Sequence, residues 1–436
     1  MTIEKLEKEI DAGGYKFPRS NNLSVLTRPV HIKGTDVTLA NSLAVHPMEG
    51  GDFSAEDNSP TDTVTRRYLR FARGGAGLIW FEATAVQEDA RSFDRQAMIT
   101  EKNADAYKRL IDEIKKENPD VKVIVQLTHS GRYSKKGRKP APVIAHHSLP
   151  LNDRLPLPPD YPVVSDEYLD RLPETFARCA MLAYEAGFDG VDVKCCHCYL
   201  YDELLSAYNR PGKYGGPYEN RARLVLDTVS AVRAALPSAA IVASRVGMSD
   251  MMPYPWGFGV PTDGSVACDL TEPLRLIGDM RARGCTLFSL TMGTPYYNPH
   301  VNRPYGQGVP TSPEPPLRGV ERMINTAAQV KIAYPELTFV GAGYSYLGEA
   351  SPYVAAGAVE CGMIDVVGYG RMALCYPDFA RDIAEGKFDR HKSCLTCGKC
   401  SQLLGGFRPV GCPVRDSEMY LPIYQDLMRE RAEAQK

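Results

Sequence analysis

Four cysteines fall in one short stretch, Cys394-Leu395-Thr396-Cys397-Gly398-Lys399-Cys400 and then Cys412-Pro413, a C-x₂-C-x₂-C-x₁₁-C spacing. Thiolates gathered this way suit an iron–sulfur cluster or a tetrahedral zinc ion. Three close together can wrap one corner of a cubane, whereas structural zinc more often uses two separated C-x₂-C pairs. The spacing therefore favours iron and sulfide, with Cys394, Cys397, Cys400 and Cys412 as ligands. A second constellation is Lys194-Cys195-Cys196-His197-Cys198-Tyr199. On paper it resembles a metal site, but side chains at a strand end alternate in direction, so these thiols and the imidazole do not easily converge on one ion. Third come Gly341-Ala342-Gly343 and Gly368-Tyr369-Gly370-Arg371. Glycines let backbone N–H groups approach an anion, and an arginine beside them can fork onto a phosphate. Cys179, Cys268, Cys285, Cys361 and Cys375 stand singly and read as small buried hydrophobes.

Something must carry these groups to one place. Apolar runs recur with helix-like segments between them: Ser42–His46, Gly77–Phe81, Val121–Leu127, Gly190–Val193, Ile241–Val246, Thr286–Leu290, Leu337–Val340 and Ile364–Val367. This is the pattern of repeated βα units around a parallel sheet. Several of the helix-like segments end in glycine before the next run, as in Ala186-Gly187-Phe188, a helix C-cap. Eight units with no glycine-rich dinucleotide fingerprint after the first strand predict an α/β fold, a (β/α)₈ TIM barrel, rather than an open doubly wound sheet. The chemistry-bearing residues all follow predicted strands, where barrel enzymes place their active sites. Long segments at 134–162, 201–220, 248–262 and 295–316 read as binding loops on that rim, with Trp80 and Trp256 beside it.

The 436 residues carry a net charge of −2 and 44% hydrophobic residues, an ordinary globular balance without the basic footprint of a nucleic-acid binder. Lys135-Lys136-Gly137-Arg138-Lys139 is a local basic run, read either as a solvated loop or as an attractor of an anionic substrate or partner. No apolar stretch reaches membrane-spanning length and the N-terminus lacks a signal-peptide core, which predicts a cytoplasmic protein. Twelve cysteines there fit free thiols plus a metal site better than disulfides.

Taken with Gln126-Leu127-Thr128-His129-Ser130-Gly131-Arg132 and Tyr214-Gly215-Gly216-Pro217-Tyr218-Glu219-Asn220-Arg221, these motifs are similar to those of the Old Yellow Enzyme family. The likeness is strongest to the iron–sulfur branch that contains 2,4-dienoyl-CoA reductase and trimethylamine dehydrogenase, and it covers the chain from about Leu26 to Pro413. The resemblance implies two parts. Residues 1–385 would form an FMN-binding barrel with an N-terminal extension, and residues 386–436 a 4Fe-4S segment with a tail. It further implies Pro47, Met48 and Ala83 beside the flavin ring, Gln126 on its pyrimidine, Arg245 near N1, and Gly343, Gly370 and Arg371 on the phosphate. His129, Arg132 and Tyr133 would line the substrate pocket or hold their loop. In the family, paired donors hold a substrate carbonyl while hydride passes from flavin N5 to the β-carbon and a tyrosine protonates the α-carbon. Those roles fall on Lys194, His197 and Tyr199.

Lys194 stands where the family usually has histidine, and Cys198 where it has glycine. An ammonium there suits a carboxylate substrate, or else balances charge on the flavin or phosphate. The expected activity is reduction of an activated C=C bond in an enoate, enone or enoyl thioester, with electrons from a separate donor protein through the cluster or from NAD(P)H. Oxidation of a C–N bond, as in the amine dehydrogenases, is the alternative. A different class altogether would be an electron-transfer subunit or a non-catalytic barrel bearing zinc.

Overall fold

In the computed structural model residues 1–306 and 311–434 are described; residues 307–310 of the predicted rim loop and 435–436 of the predicted tail lie outside the described residues. The predicted apolar runs become β1 (Leu43–Val45), β2 (Leu78–Ala85), β3 (Lys122–Thr128), β4 (Gly190–Val193), β5 (Ile241–Gly247), β6 (Leu287–Thr291), β7 (Thr338–Gly341) and β8 (Val366–Tyr369). They close in chain order into a barrel, the last strand pairing in parallel with the first through Val367 opposite Leu43 and Tyr369 opposite Val45. β4 has the expected bounds. β2 runs four residues further than predicted because Glu82 forms a bulge between Phe81 and Ala83, so Ala83 and Thr84 still pair with β3. A buried glutamate in mid-strand is not visible as strand in a hydropathy pattern.

Helices return the chain outside the barrel, and two of them open on side-chain caps: Thr61 accepts from Val64 N, and Ser165 from Tyr168 N. Apolar side chains fill the barrel. Ala44, Leu78, Trp80, Ile124, Ile241 and Ala243 pack inside it, and a short hairpin of Val30–His31 and Thr38–Leu39 closes the bottom with Ile32 and Leu39. Trp80 therefore belongs to the barrel filling and not to an aromatic rim, because a strand residue flanked on the inner face by neighbours from β3 and β5 has no route to the mouth.

The four-cysteine segment docks back on the start of the barrel. Val410 N donates to Gly50 O in the loop after β1 (2.8 Å). Asp416 accepts from both outer nitrogens of Arg66 (2.8 and 2.9 Å) and also from Arg70, on the helix Asp62–Arg73. Leu403, Val410, Tyr420 and Leu427 join the same apolar core as the helices around the barrel. Among the described residues no helix is long and apolar enough to cross a membrane.

Candidate active site

A cavity of about 420 Å³ opens at the C-terminal end of the strands. Its floor is braced from behind by Asp192 of β4, which accepts from Trp80 Nε1 (2.8 Å), Gln126 Nε2 (2.6 Å) and Arg245 N (2.8 Å). A carboxylate offers only acceptors, so the Gln126 amide must turn its NH₂ to Asp192 and its oxygen to the cavity it lines. Arg245, from β5, lies buried in the same wall, and its Nε has no partner. Burial lowers its pKa, while Cys196 and Asp192 oppose that. On the opposite side His46 donates from Nε2 to Gly341 O (3.1 Å), and burial drives its pKa down to about 3, so the ring is neutral. The Nε2 side of the ring packs against Gly368, where a Cβ would sit 2.1 Å from Nε2. Pro47 and Met48 follow in the lining, and a Cβ on Gly370 would stand 2.8 Å from Met48 Sδ.

Gly343 has φ +98°, a left-handed turn that bares the backbone after β7. Arg371 follows Gly370 and donates to Pro304 O (2.9 Å). Arg303 lies beside it; burial, then the charge of Arg371, lowers its pKa. Both guanidiniums line the cavity, and neither is ion-paired with a carboxylate among the described residues. Two uncompensated cations beside exposed backbone make an anion site. Arg303 was not foreseen from the sequence, since it sits in a loop of proline and tyrosine with no motif around it.

The other end of the cavity holds Lys194, His197 and Tyr199. His197 (φ +70°) and Cys198 (φ +54°) are both left-handed, and Cys198 N donates to Asp202 Oδ2 (2.6 Å), which fixes the turn. Asn302 Nδ2 donates to His197 Nε2 (2.9 Å), so the ring proton sits on Nδ1. Burial, with Arg245 and Lys194 nearby, pushes the His197 pKa well down and keeps the ring neutral. The Tyr199 hydroxyl lies 3.3 Å from Glu49 Oε1 and 3.1 Å from the Tyr296 hydroxyl. Burial and the Glu49 charge raise its pKa, so the phenol keeps its proton. Lys194 Nζ is 3.7 Å from the centre of the Tyr199 ring and 3.9 Å from Glu49 Oε1. Burial lowers its pKa and Glu49 resists the fall. Tyr133 stacks on Tyr296 with centroids 3.6 Å apart and so backs this wall.

Residues 26–256, more than half of the chain, match the sequence signature of the NADH:flavin oxidoreductase / NADH oxidase family. The chain belongs to that family. An NADPH dehydrogenase of Listeria innocua is 33% identical over 219 residues, covering 49% of this chain and 62% of its own length. A metal reductase of Desulforamulus reducens is 25% identical over 413 residues, 92% of this chain and 55% of that protein. The chain thus spans 62% of the length of the first of these relatives and 55% of the second. In fold it is similar to 2-naphthoyl-CoA reductase solved with 2-naphthoyl-CoA (TM-score 0.73, 20% identity, 90% of this chain and 57% of that one). It is similar also to histamine dehydrogenase from Rhizobium sp. 4-9 (TM-score 0.69, 19% identity, 90% and 52%).

Within this flavin oxidoreductase barrel four sequence candidates lie outside the cavity lining, among them Tyr133, which stands behind the Tyr296 wall. Ala83 is buried in β2, where its carbonyl accepts from Gln96 Nε2 (3.0 Å). His129 uses Nε2 on the Tyr168 hydroxyl (2.7 Å) and Nδ1 on Gly131 N (3.1 Å), and burial lowers its pKa to about 4. Arg132 is fully buried and spends its nitrogens on Glu203, Asn152 and the His146 carbonyl. Both residues brace the loop after β3. Trp256 likewise lines a separate groove with His146 and Arg210.

Cys394, Cys397, Cys400 and Cys412 surround one small void, and Cys400 also lines the main cavity, with Arg371 shared between the two. Cys375 faces the same void, so it is more than packing; hydrogen bonds with its thiol pull the pKa of Cys394 to about 6 and that of Cys412 to about 7. The signal for it was absent, because it lies far from the spaced motif. At the β4 end, Cys198 approaches Asp202 and Asp250, whereas Cys195 and Cys196 do not join them. This agrees with the alternation argument against a four-residue site there.

Proposed function

We propose that the chain binds FMN in the barrel mouth and reduces an activated C=C bond, with electrons entering through a 4Fe-4S cluster or from NAD(P)H. One observation carries the reading: Gln126, Arg245 and Arg371 face the same cavity as Lys194, His197 and Tyr199, although they come from different strands. FMN fits the groups that line the cavity. The Gln126 oxygen can accept from the pyrimidine N3–H, the unpartnered Arg245 guanidinium matches the N1–C2=O edge, and Arg303 and Arg371 with the Gly343 and Gly370 backbone match a phosphate. When bound, FMN supplies the hydride.

The residues of the chain then do the rest. His197 offers its Nδ1 proton, and Lys194 its ammonium, to a carbonyl oxygen gathering negative charge; one such donor contributes roughly 2.7–4 kcal/mol. Tyr199 donates its hydroxyl proton to the α-carbon, as a phenol held protonated by burial can do at neutral pH. Glu49 balances the Lys194 charge, which favours a neutral enone or thioester over a free carboxylate. The same geometry speaks against oxidation of a substrate amine, because Lys194 already occupies the cation position over the Tyr199 ring.

A cluster also fits the four thiols. A single zinc with Zn–S bonds of about 2.3 Å needs sulfurs roughly 3.8 Å apart. Among the described residues no three of these sulfurs lie within 4.8 Å of one another. No three are thus gathered as a single zinc needs, while all four line one void. The deciding experiment is an anaerobic screen in which reduced enzyme is mixed with enones, enoates, enoyl thioesters and, in the reverse sense, oxidised enzyme with amines. Rapid reoxidation by enones or thioesters is expected; flavin reduction by amines instead would replace this reading with the dehydrogenase one.

A further inference from the structure

The basic run at 135–139 has no role in the proposed reaction, and the structure gives it a place. It folds as a hairpin, Lys135–Lys136 against Lys139–Pro140, with Gly137 N held by Asp94 Oδ1 (2.9 Å). Arg138 and Lys135 lie over the ring of Phe407, 5.7 and 5.8 Å from its centre, so the hairpin tip meets the cysteine arm. Beneath this contact is a second cavity of about 180 Å³ lined by Arg95, Arg138 and Arg408. Phe93, Leu404 and Phe407 belong to the walls of both cavities, so the second adjoins the mouth of the first.

Its charges are not all spent. Arg95 donates to the Phe53 and Asp52 carbonyls and Arg408 is paired with Glu430. Lys136, Arg138 and Lys139 are exposed and have no ion-pair partner among the described residues. Asp94 is the acidic side chain in the lining, and it is engaged with the Gly137 backbone. A net positive, partly apolar chamber at the exit of an active site matches a ligand whose reacting end lies inside and whose anionic tail leads out.

We propose that the hairpin 135–139 and the Phe407 wall form a subsite for the phosphate groups of such a tail, carried by a nucleotide-bearing thioester substrate or by a phosphorylated nicotinamide nucleotide. The proposal rests on the reading that the main cavity is the redox site. A small-molecule tail is favoured over an acidic donor protein because Arg138 faces a walled chamber next to the active cavity, with Lys136 and Lys139 flanking it on the same hairpin.

The test uses the anaerobically purified holoenzyme and the triple variant Lys136→Gln, Arg138→Gln, Lys139→Gln, whose side chains make no ion pair or hydrogen bond among the described residues and give up only the Arg138 contact with the Phe407 ring. Binding of adenosine 3′,5′-bisphosphate and adenosine 2′,5′-bisphosphate is measured without turnover, with adenosine as the control. Kinetics compare a short enoyl-CoA with the same acyl group on N-acetylcysteamine, and NADPH with NADH. Losing these charges is expected to weaken bisphosphate binding about tenfold at low salt, an effect that shrinks at high salt. The KM for the phosphate-bearing member of one pair should rise similarly, while its phosphate-free partner is unchanged; which pair responds identifies the source of the tail. Equal bisphosphate binding by both proteins overturns the subsite, as does a defect confined to an acidic donor protein. If bisphosphates bind hairpin-dependently but no unsaturated acceptor reoxidises the flavin, the assigned reaction falls and the subsite stands.

Discussion

Asp192→Asn is the sharpest test of the floor of the cavity, because it changes no shape and only the donor–acceptor pattern. The carboxylate takes Trp80 Nε1 and Gln126 Nε2 on Oδ2 and Arg245 N on Oδ1. An asparagine keeps two of these if its oxygen faces Trp80 and Gln126, but then sets its NH₂ against the Arg245 N–H. Losing one bond to a charged acceptor and stranding a buried donor costs about 2–4 kcal/mol. Burial raises the Asp192 pKa to about 6, a cost of charge that the amide does not incur, so the loss should fall at the low end of that range. For a chain of this size that is a lowering of Tm by about 2–4 °C. The cofactor should feel it more. In the opposite orientation the asparagine oxygen faces Arg245 N and its NH₂ faces Gln126, whose amide must then turn over and present NH₂ instead of oxygen to the cavity, so FMN affinity should drop by about tenfold or more. Thermal unfolding of the apoprotein and fluorescence titration with FMN read the two effects separately. A variant with unchanged Tm and FMN affinity within twofold of wild type would refute the assignment of Asp192 as the group that orients Gln126 and the Arg245 backbone.

Tyr199→Phe should leave FMN content unchanged while turnover with an enone falls roughly 10²-fold or more, measured by stopped-flow reoxidation. Glu82, buried with Arg67 and Tyr68, has its pKa raised to about 7, chiefly by desolvation. A raised carboxyl contributes stability in full below its unfolded value and loses it as pH rises through the folded value. The Tm of wild type relative to Glu82→Gln should therefore fall between pH 5.5 and 8.5, by scanning calorimetry; a pH-independent difference would contradict it. Asp416→Ala removes the acceptor shared by Arg66 and Arg70. Hydrogen exchange should rise across residues 394–434 while the barrel strands stay protected. Anaerobic protein should contain about four iron and four sulfide per chain, and Cys397→Ala should lose them; stoichiometric zinc without sulfide would overturn the cluster assignment.

The strands were readable because each is an apolar run between turn residues, and β4 shows how far that goes, since Gly190–Val193 was fixed by its glycine and the polar run after it. β2 shows where it stops: the bulge at Glu82 depends on Arg67 from another element, which no local pattern encodes. The same holds for the site. Gln126, Arg245 and Arg371 stand in recognisable contexts and do meet at one cavity. His129 and Arg132 share a motif with Gln126, yet their partners Tyr168 and Glu203 lie far along the chain and draw them away from the cavity. Arg303 and Cys375 were missed for the converse reason, being brought to the anion site and the sulfur void by tertiary contact alone.

The arm that carries the cysteines also supplies part of the wall of the main cavity, through Cys400, Leu404, Phe407 and Val410. Shelter for one redox group would thus come from the same short arm that grips the other, with Cys400 common to both. Oxidative damage at the sulfurs, once it loosens the arm from Gly50 and Arg66, should unroof the flavin chamber and let its occupant leak away. Aerobic handling would then yield a colourless barrel through a single initial lesion, with yellow and brown fading together.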